Sequence, residues 1–522
     1  MALNLAALRS RVESFVLRHR GLTAAFALPV SFVVDRLDGL RHWYAWNYRS
    51  APELHDQRVR RVQEQVRTWA ASGSKKPMCT ARKPWQTMST RVASYKQDCS
   101  RIEIDLRDIL EVNAERRTVR LEPLVTMGQI TQRLLPLGYA LAVMIEMDDL
   151  TIGGVCMGLG MATSSHREGL IQETVGAYEV VLADGSLVRA TREEHADLFH
   201  ALPWSHGTLG LLVAVELKIV PIKPYVHLEY RPCHSQGDYC AQLGALACAE
   251  DAPDFLEATI YGKERAVIMV GRLADRPQDP RQVNAIGRWH KPWFYKHVET
   301  FLRAGPGAEY VPLRQYYHRH TRSIFWELES MLPFGNHPVY RWLLGWLGAP
   351  KVSLLKLTMS PKGRQELAYR HVVQDFIVPL DRMAEAIDQM DQRFACYPLL
   401  VYPIRIYDHG GRSLVRKPAH LLPGEPYEMF VDLGVYGIPP AVQRGEPWDG
   451  PGAIRALEAY ARAVGGYQCL YADTFMTREE FEQMLDHTGY REVRRKYGAI
   501  GAFPEVYDKV RFREPRPAES QG

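Results

Sequence analysis

The segment Asp149–Gly169, DLTIGGVCMGLGMATSSHREG, places Gly153, Gly154, Gly158 and Gly160 within eight residues and flanks them with Thr151, Thr163, Ser164 and Ser165. Glycines at that density bare backbone N–H groups at close range, which suits a bound diphosphate. A second run, HGTLGLLVAVELKIVP from His206, is a tight turn feeding a strand that is apolar from Leu211 to Val215. A dinucleotide fingerprint needs a third glycine where Thr163 stands, and no acidic ribose-binding residue is obvious some twenty positions on. No Gly-Lys-Ser/Thr occurs, which removes a Walker loop. A glycine-rich turn without ligand leaves the hydroxyl flanks and the GTLG run unaccounted for. The two runs together point to a flavin rather than to a bare nucleotide.

The elements that must position these loops follow from periodicity. Glu53–Ala70 repeats Val59, Val62, Val66 and Trp69 at helical spacing, and Arg101–Leu106 and Thr118–Leu121 alternate like strands. Gly128–Leu135 turns helical, and Thr191-Arg-Glu-Glu194 reads as a capping box for a helix carrying Leu198 and Phe199. The Pro221-Ile-Lys-Pro224 stretch marks a boundary. Beyond it, Val226–Arg231 and Met429–Leu433 read as strands, Ser360–Met390 as helix, and Thr477-Arg-Glu-Glu480 as a second capping box. The tail from Arg513 has a disordered composition.

At 522 residues, with a net charge of +5 spread along the chain, there is room for two or more domains and no nucleic-acid platform. Eight cysteines without CxxC spacing read as free thiols, and no structural zinc or other metal site is visible. Near the N-terminus, the uncharged run Gly21–Val34 follows four arginines and precedes Trp43, Tyr44, Trp46 and Tyr48. That is the pattern of an interfacial membrane anchor, too short to span alone, with an ordinary buried helix as the alternative.

The glycine segments, together with KPWFYKHVE, YYHRHTRSIFWELE, PFGNHP, KVSLLKL, LYADTFMTREEF and AFPEVYDK, are similar to the delta(24)-sterol reductase family. That family lies within the vanillyl-alcohol-oxidase/p-cresol-methylhydroxylase superfamily. The resemblance implies an α+β fold, a PCMH-type FAD-binding domain of two α+β subdomains plus a substrate cap domain. It divides the chain into an N-terminal membrane-associated segment 1–50, an FAD domain 51–223, a cap 224–460, a C-terminal return 461–510 and a tail 511–522. Carried over by motif, Thr151, Ile152, Gly153, Gly154, Val155, Cys156, Met157, Gly158, Leu159, Gly160, Met161, Ala162 and Thr163 wrap the FAD diphosphate. Ser165, His166, Gly207, Thr208, Leu209 and Gly210 lie close by. Thr80–Arg91 stands in the place of the first diphosphate loop but departs from its usual glycine-rich form; Arg82 and Arg91 are candidates for charge-assisted phosphate contacts there, with plain surface arginines as the alternative. Met78–Arg91 holds no histidine, so FAD is expected to be noncovalent.

The activity implied is reduction of the C24=C25 side-chain bond of a sterol, with NADPH as electron donor and FAD as relay. An isolated alkene accepts hydride only when an acid protonates the neighbouring carbon, so the site needs an apolar slot, aromatic faces and a proton donor. Tyr316, Tyr317, Phe325 and Trp326 supply aromatic surface; Tyr471, Glu327 and His318 are the candidate catalytic residues, with His320 and Asp473 beside them. Competing readings are an FAD-dependent alcohol oxidase or dehydrogenase and a noncatalytic sterol-binding flavoprotein. The partners expected are a sterol and a membrane, of the endoplasmic reticulum in a eukaryote, and a second copy or sterol-pathway enzymes.

Overall fold

The computed structural model describes residues 50–348 apart from 88, 90 and 92, residue 356, residues 369–513 and part of 28–48. The N-terminal segment before residue 28, most of KVSLLKL, the first part of the helix expected from Ser360, and the tail from 514 lie outside the described residues. Helix His55–Ala71 follows its predicted stripe, with Val59, Val62 and Val66 buried and Trp69 half-buried. Its first residue is fixed by a buried acid. Glu122 Oε1 lies 2.8 Å from His55 Nδ1, while Oε2 accepts the Asp108 amide at 2.7 Å and faces Arg58 at 3.5 Å.

Strands β1 (Met78–Thr80) and β2 (Ser100–Ile102) form a short parallel pair that closes the base of the Thr80–Arg91 loop. The alternation read over Arg101–Leu106 therefore yields a strand only as far as Ile102. A second sheet holds β3 (Ile109–Asn113), β4 (Thr118–Leu121), β5 (Tyr139–Leu141), β6 (Val175–Val181), β7 (Leu187–Ala190) and β8 (Leu211–Pro221). The apolar run read at Leu211–Val215 opens β8, which pairs antiparallel with β4, β5 and β6. Helix Met127–Leu134 is closed by a capping box between Thr126 and Gln129 that the sequence reading passed over. Thr191 does not cap the helix after it. Its hydroxyl takes the Glu193 and Glu194 amides in a turn, left-handed His195 follows, and the helix starts at Ala196.

Ile222, Lys223 and Pro224 then lead to a larger antiparallel sheet. It contains β9 (Tyr225–Cys233), β10 (Phe255–Gly262), β11 (Arg265–Ala274), β12 (Gly307–Pro312), β13 (Val372–Pro379), β14 (Leu399–Tyr407), β15 (Tyr427–Gly437) and β16 (Tyr467–Gln468). Their order across the sheet is β12-β9-β11-β10-β14-β15-β13-β16. Within the stretch expected to be helical from Ser360, the described part is the strand β13 followed by helix Met383–Arg393. β-Branched Val372, Val373, Ile377 and Val378 favour the pleat there. The second capping box forms as read: Thr477 Oγ1 accepts the Glu480 amide, and the Glu480 carboxylate returns to the Thr477 amide. The fold is α+β. Among the described residues no helix is long and apolar enough to cross a membrane.

Glu122 predicts a measurable constraint. Glu122→Ala leaves His55, Arg58 and the Asp108 amide without their buried partner, and urea unfolding is expected to show a loss of about 3 kcal/mol.

Candidate functional site

The glycine run forms a short helix, Ile152–Met157, and an irregular strap from Gly158 to Thr163. Gly153 is needed for close packing, because a Cβ there would lie 2.6 Å from Pro123 Cβ. Gly154 alone in the run is exposed. The strap's carbonyls are held by protein donors: Trp204 N on Gly158 O at 2.9 Å, Gln172 Nε2 on the same oxygen at 2.7 Å, Ile171 N on Gly160 O at 2.9 Å and Leu256 N on Thr163 O at 2.8 Å. The amides of Gly154, Leu159, Gly160 and Met161 have no acceptor among the described residues. A row of N–H groups whose carbonyls are tied elsewhere is a ready anion cradle.

Cations gather beside it. Arg82 Nη1 donates to Thr151 Oγ1 at 2.8 Å, joining the Thr80–Arg91 loop to the glycine run. Lys96 Nζ is held on the Thr80 and Arg82 carbonyls, and Lys509 Nζ on the His206 carbonyl. Arg91 reaches Ser89 Oγ at 3.2 Å and Lys509 O at 3.4 Å. These groups rest mainly on backbone carbonyls, with Asp149 near Arg82 and Asp473 near Arg91 as the acidic neighbours. Burial, then Lys96 and Arg91, push the Lys509 ammonium down to about 7. Burial also lowers His206 well below its ordinary value, and its Nε2 is buried with no partner among the described residues. Free amides, surplus buried cations and an orphaned imidazole nitrogen fit the diphosphate of a flavin dinucleotide.

The remaining expected cofactor residues serve the framework around this cradle. Ser165 Oγ accepts the Ala162 amide at 3.0 Å, and His166 Nε2 donates to Pro253 O at 2.8 Å, burial holding this ring neutral with a pKa of about 4. Gly207 turns with φ +72°, which a side chain would resist, and Gly210 has Val181 O 3.1 Å from its would-be Cβ. Thr208 Oγ1 meets Tyr490 OH at 2.6 Å and its carbonyl accepts from Arg494 at 2.8 Å, while Leu209 is buried. Gly207–Gly210 thus docks the C-terminal segment against the turn into β8.

A transverse row of ionisable groups crosses one face of the large sheet. Tyr230 of β9 pairs with Met269 of β11, which pairs with Glu257 of β10; Tyr402 of β14 pairs with Asp432 of β15. Buried Arg319 ties this row together, with Nη2 at 2.7 Å from Glu257, 3.1 Å from Tyr402 OH and 3.6 Å from Glu146. Two residues along β15, Gly434 pairs with Asp375 of β13, whose Oδ1 accepts from Tyr436 OH at 2.5 Å. Gly434 makes room for that bond, since a Cβ would stand 2.5 Å from Asp375 Oδ1 and 2.6 Å from the Tyr436 hydroxyl. Burial raises Glu146 to about 7 and Asp375 to about 6, and lifts Asp432 well above the carboxylate range. Burial would raise Glu257 as well, but Arg319 and His320 hold it below its ordinary value.

Tyr471 belongs to this cluster. Burial first, then Asp375, Tyr436, Cys469 and Asp432, raise its hydroxyl well above the usual phenol value. Its carbonyl accepts Ser89 Oγ at 2.6 Å, so the acidic row and the cationic loop meet at this residue. The other two catalytic candidates are bound elsewhere. His318 spends Nε2 on Thr131 Oγ1 at 2.9 Å and Nδ1 on Glu146 O at 3.3 Å, clamping helix Met127–Leu134. Glu327 pairs with His371 at 2.8 Å, one residue before β13. Neither bonds Tyr471 among the described residues. Sequence reasoning missed Lys96, Lys509, Arg319, Glu146, Glu257, Asp375, Asp432 and Tyr436. The available signal was a lone acid inside an apolar strand, in FLEATIYG, HVVQDFIVP and MFVDLGVYG.

A family model described as an FAD binding domain matches residues 60–191, which include the cationic loop and the glycine run. Over 500 residues the chain is 45% identical to the delta(24)-sterol reductase of Homo sapiens, covering 95% of this chain and 94% of that protein. It is 40% identical over 530 residues to the delta(24)-sterol reductase of Pisum sativum (96% and 92% covered) and 41% over 486 to that of Arabidopsis thaliana (89% and 86%). An FAD diphosphate beside Lys509 favours its charged form, so binding takes up a proton once the free protein has lost it. FAD affinity is therefore expected to be full below about pH 7 and to weaken by about tenfold per unit above it. Flavin-fluorescence titration from pH 6 to 9 checks this, and Lys509→Met is expected to flatten the profile. By its coverage along nearly the whole chain and its FAD binding domain, the chain belongs to the delta(24)-sterol reductase family and is a flavin-dependent oxidoreductase.

Proposed function

We propose that this chain saturates the C24=C25 double bond in a sterol side chain, with NADPH as the electron source and FAD held noncovalently. The observation that carries the reading is the junction at Tyr471, where the cationic, amide-rich cradle meets a cluster of buried proton-holding groups. In this reading the six-stranded sheet with its glycine loops forms the cofactor unit, 51–223. The cap, 224–460, is built on the first seven strands of the large sheet, and 461–510 is the return, which adds β16 to that sheet and brings Tyr471, Asp473 and Lys509 back to the cradle.

FAD, when bound and reduced, supplies a hydride; the protein's own residues supply the rest. In this reading Tyr471 gives a proton to C24, so that positive character develops at the more substituted C25, which takes the hydride. Asp375, bonded to Tyr436 and lifted by burial toward its protonated form, stands beside Tyr471 to restore that proton. Phe325 lies 5.3 Å from the Tyr436 ring, and Trp326 donates its indole N–H to Tyr436 O at 2.8 Å, so aromatic faces adjoin the donor. These rings suit an alkene that passes through cationic character. An N-terminal segment that rests on the membrane of the endoplasmic reticulum gives access to a substrate that partitions into lipid.

The test is anaerobic incubation of the FAD-loaded protein with desmosterol and NADPH. Flavin bleaching by NADPH and a product heavier by two hydrogens are expected; bleaching only by an alcohol would overturn the reading. Tyr471→Phe is expected to lower sterol turnover about 10²- to 10³-fold while NADPH still bleaches the flavin at the wild-type rate. Gly434→Ala is expected to break the Tyr436–Asp375 bond and cut turnover about tenfold, with the flavin retained.

A further inference from the structure

Large apolar side chains left in water are unevenly distributed over this protein. Among the described residues, eighteen are exposed; seven lie between Val30 and Tyr48 and seven between Trp289 and Trp346, leaving four for the rest of the chain. The second group is Trp289, Phe334, Val339, Trp342, Leu343, Leu344 and Trp346, and Trp342 and Leu343 are 61% and 66% exposed. Most of these sit on helix Pro338–Leu344 and the turn Gly345–Leu347. Tyr340 and Leu347 pack that element against the core, so its orientation is fixed and its outward face is the apolar one. That is the reverse of a water-facing helix, which turns its charges outward.

The two exposed groups are one surface. Phe32 meets the edge of Trp346 at 5.1 Å between ring centroids, and Arg36 lies 4.8 Å over the Phe32 ring. His290 stacks on Trp342 at 4.7 Å, and Trp289 packs edge-on to it at 5.6 Å. The charges around this surface are mainly positive. Residues 285–298 and 330–348 contain no Asp or Glu, against Arg288, Lys291, Lys296 and Arg341, and the flanking Glu299 and Glu329 pair with Lys296 at 3.4 and 3.1 Å. Three exposed indoles within an apolar face, rimmed by cations, match the interface of a bilayer with anionic headgroups. Two copies of this face brought together would set like charges against one another.

We propose that the surface formed by Trp289, Phe334, Trp342, Leu343 and Trp346, continuous with the N-terminal segment, docks on an anionic phospholipid bilayer. The cap-side sheet thereby has its own membrane contact, adjoining the N-terminal anchor. Trp326 and Phe325, which touch Tyr436, precede this element in the chain, so the docked face lies on the connection that leads to the candidate site. The proposal rests on the membrane-associated reading above and requires no turnover to test.

The full FAD-loaded chain is floated with vesicles of phosphatidylcholine and phosphatidylserine whose acyl chains are brominated. Bromine quenching of tryptophan fluorescence is expected in the wild type and is expected to fall in W289F/W342F/W346F to the level given by the remaining tryptophans, Trp43 and Trp46 of the N-terminal segment among them. Trp342→Glu combined with Leu343→Glu is expected to weaken vesicle binding by about tenfold or more, with far-ultraviolet dichroism and flavin content unchanged. Both positions are solvent-exposed, so folding is not at stake. A wild type that floats while quenching is equal in the triple variant overturns this proposal and spares the anchor; a wild type that does not float overturns both. If the charged variant keeps its lipid binding but changes from dimer to monomer in sedimentation, the face joins two copies and the proposal falls.

Discussion

Buried charge of one sign requires a counterion, and two such imbalances govern this structure. On one side of Tyr471, Arg82, Arg91, Lys96 and Lys509 are drawn together on backbone carbonyls, with amides pointing into the same space. On the other, Glu146 and Glu257 share the guanidinium of Arg319, while Asp432 is buried with Asp375 as a like-charged neighbour. An anionic ligand would resolve the first imbalance. The second is resolved by keeping protons on carboxyls that water would ionise. An enzyme that must both hold a diphosphate and deliver a proton has use for both solutions, a few residues apart.

The large sheet makes the second imbalance possible. Antiparallel register puts residues on one face by parity, so a lone acid in each of three apolar strands becomes a row once the strands pair. β15 is buried along nearly its whole length, so Asp432 has no route to solvent, and Gly434 leaves the gap in which Tyr436 and Asp375 bond. The positions of Glu257, Asp375, Asp432 and Tyr436 are thus set by strand pairing and by one absent side chain, while Glu146, Arg319 and Tyr471 reach them from turns.

Local chemistry was legible in the sequence and long-range juxtaposition was not. The Val59/Val62/Val66 stripe and the Thr477 box each depend on residues within a few positions of one another, and each forms as read. Thr191 misled because a left-handed His195 ends its turn before the helix begins, a backbone choice that side-chain pattern does not announce. Asp375 and Gly434 meet across 59 positions, and Glu146 reaches Arg319 across 173, so no spacing rule links them. His318 looked reactive because histidine is versatile; in place, it is a clamp between two elements.

The carbonyl-held cations carry a consequence for the protein's lifetime. Without an anion, their mutual repulsion is a standing strain on the contact between the Thr80–Arg91 loop and the C-terminal segment, where Lys509 meets His206 and Ser89 meets Tyr471. A dinucleotide that binds only the folded chain stabilises it by mass action, by about 2.7 kcal/mol at a hundredfold excess over Kd. A bound flavin would then be a scaffold as well as a reagent, holding the Thr80–Arg91 loop and the C-terminal segment together.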